Sequence, residues 1–123
     1  MPDKKDIIQV MDRDGVKLVR LRLDSILDEA QVEAFGRAFD TLGELPGQRV
    51  VLSFLGVRYL TSLALGKVIH LHRRLAEKHG ELRLADIDPH LYEVFAITHL
   101  DRMFRIFERE DEALASFAGA AEA

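Results

Sequence analysis

The chain has 123 residues, of which 48% are hydrophobic and 31% charged, and 17 Lys and Arg against 21 Asp and Glu leave a net charge of −4. That length fits one domain able to bury about two thirds of the surface its unfolded chain exposes, and the mild acidity disfavours a generic polyanion binder. Cysteine is absent, which excludes disulfides, thiolate metal sites and thiol nucleophiles.

Met1 to Asp6 carries charges of both signs with no apolar signal region, and no apolar run approaches the roughly 18 residues needed to cross a bilayer, so cytoplasmic residence is expected. Ile7 to Asp12 and Val16 to Asp24 read as two strands, with Val19, Leu21 and Leu23 alternating with Arg20, Arg22 and Asp24. The intervening Asp14-Gly15 suits a tight hairpin turn. From Asp28 the period changes. Val32, Phe35, Phe39 and Leu42 share one helical stripe, Asp28 is the expected cap with Gln31 reaching back, and Gly43 with Pro46-Gly47 closes the helix.

Arg49 to Leu55 is short and nearly uniformly apolar, the pattern of a central strand. A second helix is expected from Ser62 to His79, with Leu65, Val68, Leu71 or His72, and Leu75 inward and Gly80 just past its end. Leu82 to Ile87 reads as a strand. Asp88 then caps a third helix that begins at Pro89 and runs to Thr98, with Leu91, Val94, Phe95 and Ile97 on its buried side. Phe104 to Phe107 extends beside the sheet, and Asp111 to Phe117 forms a last helix with Leu114 and Phe117 inward. The expected architecture is α/β: a small mixed sheet of four to five strands packed by about four helices, as one domain over residues 1–118 with a frayed tail at 119–123.

The junction of the apolar strand with the second helix, Gly56 to Gly66, is the most informative stretch. Parallel sheets place binding at the carboxyl ends of strands, where helix N-termini favour anions. Thr61 and Ser62 lie there as candidate phosphoacceptors, and the plainer alternative is that one of them simply caps the helix.

With the segment Val50 to Gly66, the run Leu71 to Gly80 and the ending Thr98-His99-Leu100-Asp101-Arg102-Met103-Phe104-Arg105-Ile106-Phe107, the chain resembles the STAS domain of bacterial anti-sigma-factor antagonists over almost its whole length. The resemblance implies a non-enzymatic module that docks onto an anti-sigma factor that is also a serine kinase, and that releases it when the second Ser of the loop pattern aromatic-aliphatic-Asp-Ser-Ser-Gly-Leu-Gly is phosphorylated. Here Tyr59 and Leu60 match the first two positions, Thr61 replaces Asp, Ser62 matches the first Ser, Leu63 replaces the phosphorylated Ser, and Ala64 replaces Gly. Leu65 and Gly66 match, and Ser53 stands where Asp is common. A leucine has no oxygen to phosphorylate, so the family's switch is either lost or moved to Thr61 or Ser62. An apolar Leu63 at a helix start favours a protein partner or, equally, packing within the fold.

The partner surface expected from this comprises Arg58, Tyr59, Thr61, Ser62 and Leu63, extended by neighbouring loops at Ser25 to Asp28 and Asp86 to Asp88. An alternative from the structural class is a stressosome-like scaffold or an accessory subunit of a lipid transporter, with a possible homo-oligomer. A small hydrolase using Ser62 or Ser53 lacks a Gly-x-Ser-x-Gly elbow. His70, His72, His79, His90 and His99 lack ligand spacing, so no metal is expected, and His72 reads as a packed histidine. The glycines form no phosphate-binding loop, and no cofactor is indicated. Lys67, His70, Arg73, Arg74 and Lys78 make a basic helix face, read as solvated rather than as a nucleic-acid site.

Overall fold

The computed structural model describes residues 8–21, 25–26 and 29–122. Strands β1 (Ile8–Arg13) and β2 (Val16–Leu21) pair antiparallel around Asp14 and Gly15. Both turn residues have positive φ, 55° and 86°, as a two-residue hairpin with right-handed twist requires. The Asp12 carboxylate accepts the Gly15 N–H at 3.1 Å and holds the turn.

After β3 (Ser25–Ile26), helix α1 (Glu29–Leu42) buries Val32, Phe35 and Phe39. The expected cap at Asp28 lies outside the described residues. Strand β4 (Arg49–Ser53) is buried from Val50 onward, as its unbroken apolar run indicated. The chain then turns through Gly56, forms β5 (Tyr59–Leu60) and enters α2 (Ser62–Glu77). Strand β6 (Glu81–Ala85), helices α3 (Pro89–Ile97) and α4 (Leu100–Met103), strand β7 (Arg105–Phe107) and helix α5 (Glu110–Glu122) follow.

The main sheet has five strands in the order β1-β2-β4-β6-β7, and every pairing after the hairpin is parallel. Successive crossovers of one hand place α1, α2 and α3 together on one face. Phe35 and Phe39 of α1, Val68 and Leu71 of α2, and Leu91 and Phe95 of α3 meet Val19, Val50, Leu52, Leu82 and Leu84 there. The opposite face carries α5, whose Ala113 and Phe117 pack on Val16, Leu18, Val51 and Ala85. A separate parallel pair, β3 with β5, ties residues 25–26 to residues 59–60.

Several expectations need correction. Val94 and Ile97 are 43% and 77% exposed, because only Leu91 and Phe95 of the nine-residue α3 point at the sheet. On α2 the innermost residue of the first turn is Ala64, with Leu65 at the margin. Strand β4 stops at Ser53 and leaves Leu55 exposed. Helix α5 runs past the end expected at Phe117, through the alanine-rich stretch to Glu122, consistent with the helix propensity of alanine. Neither α4 nor the β3–β5 pair was anticipated.

Candidate docking site

The carboxyl ends of β2, β4, β6 and β7 lie at one end of the sheet. At the end of β4, Ser53 is fully buried, and its Oγ accepts the Leu55 N–H at 3.3 Å. A hydroxyl so enclosed is a turn-forming group and is inaccessible as a nucleophile. Phe54 donates its N–H to the Ala85 carbonyl at 3.0 Å, which prolongs the β4–β6 pairing, and Gly56, at φ 85°, reverses the chain. The reversal pushes Leu55 outward, and the short β3–β5 ladder holds Tyr59 beside Ser25.

Thr61 has extended backbone angles, φ −74° and ψ 161°, and its Oγ1 accepts the Ala64 N–H at 3.1 Å. It is the helix cap, so the plainer role falls on Thr61. Ser62 opens α2 with its side chain exposed, and the first turn holds no acidic residue. Leu63 follows, exposed, so the fold-packing alternative for it does not hold. Leu55, Tyr59 and Leu63 are 56%, 58% and 54% exposed, three large apolar side chains on one loop-to-helix junction.

Arg58 faces a shallow cleft of about 270 Å³ that is also lined by Leu55, Gly56, Asp86, Asp88 and Glu108. Arg58 makes no ion pair among the described residues. Asp86, at φ 57°, ends β6, and its Oδ2 accepts the Glu110 N–H at 2.9 Å, tying β6 to the start of α5. Burial pushes its pKa up, a shift that this hydrogen bond partly offsets. The Glu110 carboxylate is forked by Arg20 at 2.6 and 2.9 Å, and those bonds hold its pKa below the ordinary range. Asp88 accepts the His90 N–H at 2.9 Å as the cap of α3, with Pro89 at its first position.

Of the residues singled out in the sequence, Arg58, Asp86 and Asp88 therefore border one cleft. Tyr59, Thr61, Ser62 and Leu63 continue from it into α2, and the backbone at Ser25 is paired alongside. Asp28 lies outside the described residues. Sequence reasoning missed Leu55, assigned to a strand, and Glu108, which had no motif to mark it. It also missed the Arg20–Glu110 fork, whose members are 90 positions apart.

The basic residues of α2 have a structural use. Cβ atoms at Gly36 of α1 and at Gly43 just past its end would meet the side chains of Lys67 and Arg74 at 3.1 and 3.3 Å, so the two glycines leave room for those long stems. Lys78 Nζ donates to the Glu44 carbonyl at 2.6 Å. His72 stands edge-on to Phe104 with ring centroids 5.0 Å apart, and burial lowers its pKa, the packed role expected of it.

Comparison with known proteins matches the STAS domain model over residues 8–113. The chain belongs to the STAS domain family. This STAS protein is 28% identical over 95 residues to BtrV of Bordetella bronchiseptica, assigned as an anti-sigma factor antagonist, covering 77% of this chain and 82% of BtrV. It is 21% identical to the anti-sigma F factor antagonist of Paenibacillus polymyxa, over 85% of this chain and 76% of that one. A STAS domain protein of Planctomyces limnophilus superposes with a TM-score of 0.82 at 23% identity, covering 90% of this chain and 97% of the other. The family of STAS anti-sigma antagonists is non-enzymatic. Among the described residues no helix is long and apolar enough to cross a membrane.

Proposed function

We propose that this STAS protein is an anti-sigma factor antagonist that docks an anti-sigma factor with serine kinase activity through the β4–α2 junction, and that it lacks the usual phosphoserine. The observation that carries the reading is the exposure of Leu55, Tyr59 and Leu63 around Arg58 at the end of the sheet where the strands' carboxyl termini gather. Three apolar side chains left in water favour burial against a partner, each contributing about 1–1.5 kcal/mol, since nearly half of each is already covered. Arg58 and the carboxylates opposite it set orientation more than affinity.

Leu63 occupies the position at which the resemblance puts the phosphoacceptor. Of the two candidate phosphoacceptors Ser62 is the more accessible, because the Thr61 oxygen is engaged in the cap. A phosphate on Ser62 would sit against the first-turn amides of α2, a placement that the helix dipole favours.

The test is titration of the chain with the anti-sigma factor kinases of its own organism. Arg58→Glu and Leu63→Asp are expected to weaken binding at least tenfold while leaving the unfolding midpoint within experimental error, and a bulky residue at Ser62 is expected to do the same. Unchanged affinity in all three variants would remove this surface from the interface. Intact-mass measurement after incubation with the kinase and ATP reads the switch: no added phosphate means it is lost, and one phosphate mapped to Ser62 means it has moved by one position. A stable higher oligomer with no affinity for such a kinase would favour the scaffold reading instead.

A further inference from the structure

Strand β7 ends the sheet order, so one side of its backbone has no strand partner among the described residues. A cavity of about 500 Å³ lies against it, lined by Ile87, Pro89, Tyr92, Ile106, Phe107 and Glu108. Ile106 and Phe107 are consecutive on a strand, so their side chains project to opposite faces. Ile106 packs toward the α1–α3 side and Phe107 toward α5. The cavity therefore lies at the carboxyl end of β7, between it and the start of α3, and neither residue is fully buried.

Both ends of this edge carry exposed charge, Arg105 at the start and Glu108 just past the end, and neither forms an ion pair among the described residues. From the open edge, the apolar pocket and the opposite charges at its two ends, we infer that β7 receives an extended segment of a protein partner. That segment carries an apolar residue for the pocket, a basic residue opposite Glu108 and an acidic one opposite Arg105. Added strands bind by backbone hydrogen bonds and are selected by alternate side chains. A three-residue edge offers few backbone bonds, so the pocket and the cross-strand charge pairs carry the selectivity. This surface adjoins the Arg58 cleft and shares Ile87 and Glu108 with it, whereas Tyr92 and Ile106 line the β7 cavity alone, so Tyr92→Glu tells the two surfaces apart.

The probe is a library of random octapeptides displayed on phage, selected on the full chain and counter-selected on Tyr92→Glu, which alters the β7 cavity and not the Arg58 cleft. Glu108 and Tyr92 are exposed, so substitution at either leaves the fold intact. Enriched peptides are expected to carry an apolar residue between a basic and an acidic one. The strongest, synthesised and added to the 15N-labelled chain, should shift the amide resonances of Arg105 to Glu108 and Tyr92. Its affinity should fall about tenfold on E108K or Tyr92→Glu, and changing the peptide's basic residue to Glu should restore binding to E108K. The inference is overturned by a selection without that pattern, by affinity insensitive to E108K, or by shifts confined to the β4–α2 junction. It is equally overturned by a dimer in solution that E108K dissociates, which would assign the edge to a second copy of the chain.

Discussion

At the scale of single residues, two glycines near the ends of α2 have opposite reasons to exist. A Cβ at Gly66 would meet nothing within 4 Å, and its backbone is helical, so Gly66→Ala is expected to stabilise by about 0.5–1 kcal/mol through helix propensity. A Cβ at Gly80 would lie 2.5 Å from the Gln48 carbonyl oxygen, a backbone atom that cannot rotate away. Gly80→Ala should therefore destabilise by about 1–3 kcal/mol, read from the urea midpoint at constant m-value. The left-handed residue that ends the helix is His79, at φ 63°, so Gly80 serves close approach and not the positive φ its sequence position suggests. Arg83 presents a second test. It is 2% exposed, bonded to Glu81 at 2.7 Å and Ser116 at 2.5 Å, and lies 4.0 Å over the Phe117 ring. Arg83→Ala removes the contact and leaves a hole, for an expected loss of about 2–4 kcal/mol, whereas Arg83→Met should come within about 1 kcal/mol of wild type. Equal losses in calorimetry would mean that the charge matters and the packing does not.

At the scale of elements, the fork between Arg20 of β2 and Glu110 of α5 makes their attachment depend on pH. Glu110 has a folded pKa below its unfolded one, so its contribution is present above the ordinary carboxylate range and is lost as the pH falls through the folded value. Asp86 is shifted the other way, chiefly by burial, and protonating it in acid recovers part of that loss. In Glu110→Gln the first of these contributions is gone. The stability gap between wild type and Glu110→Gln should be widest near neutrality and close below the carboxylate range, and a gap unchanged down to pH 2 would show that the fork is not coupled to folding. The same pair illustrates what the sequence conveys. Periodicity of two located β2 and that of 3.6 located α1 and α2, because each is long enough for its pattern to repeat, whereas β4 was legible as an unbroken apolar run. Helix α3 is short and apolar on both flanks, so Val94 and Ile97 fit a buried stripe as well as Leu91 and Phe95 do. The β3–β5 pair has two residues per strand and no period at all. At the candidate site, the placement of Arg58 and Leu63 in an exposed strand-to-helix junction was legible in the sequence. Leu55 was not, since the strand ends at Ser53 only because a buried hydroxyl and a positive-φ glycine turn the chain there.

Across the whole molecule, the sheet is covered unequally. Three helices bury one face with a broad aromatic and aliphatic core, whereas α5 alone closes the other through Ala113, Phe117 and the half-buried Leu114. Domains of this size have about 5–15 kcal/mol of stability, and their parts open at different free energies according to how much apolar surface holds them. Helix α5 therefore ought to be the first element to detach, leaving β4, β6 and α2 still packed. Native-state hydrogen exchange should show α5 amides opening below the global unfolding free energy and the amides of β4 and β6 opening only with it. Phe117→Ala removes the largest anchor of that face, a change of about 3–5 kcal/mol. If α5 opens as a unit, this variant should speed exchange in α5 far more than in β4. Such a detachment also frees the Glu110 N–H from Asp86 and the Glu110 carboxylate from Arg20, and so loosens the β6 end of the cleft that Arg58 lines. If the proposed docking to an anti-sigma kinase holds, that binding should consequently weaken in Phe117→Ala even though Phe117 lies on the far face of the sheet. An affinity equal to that of wild type, with α5 exchange accelerated, would show that the docking end holds its shape without the helix behind it.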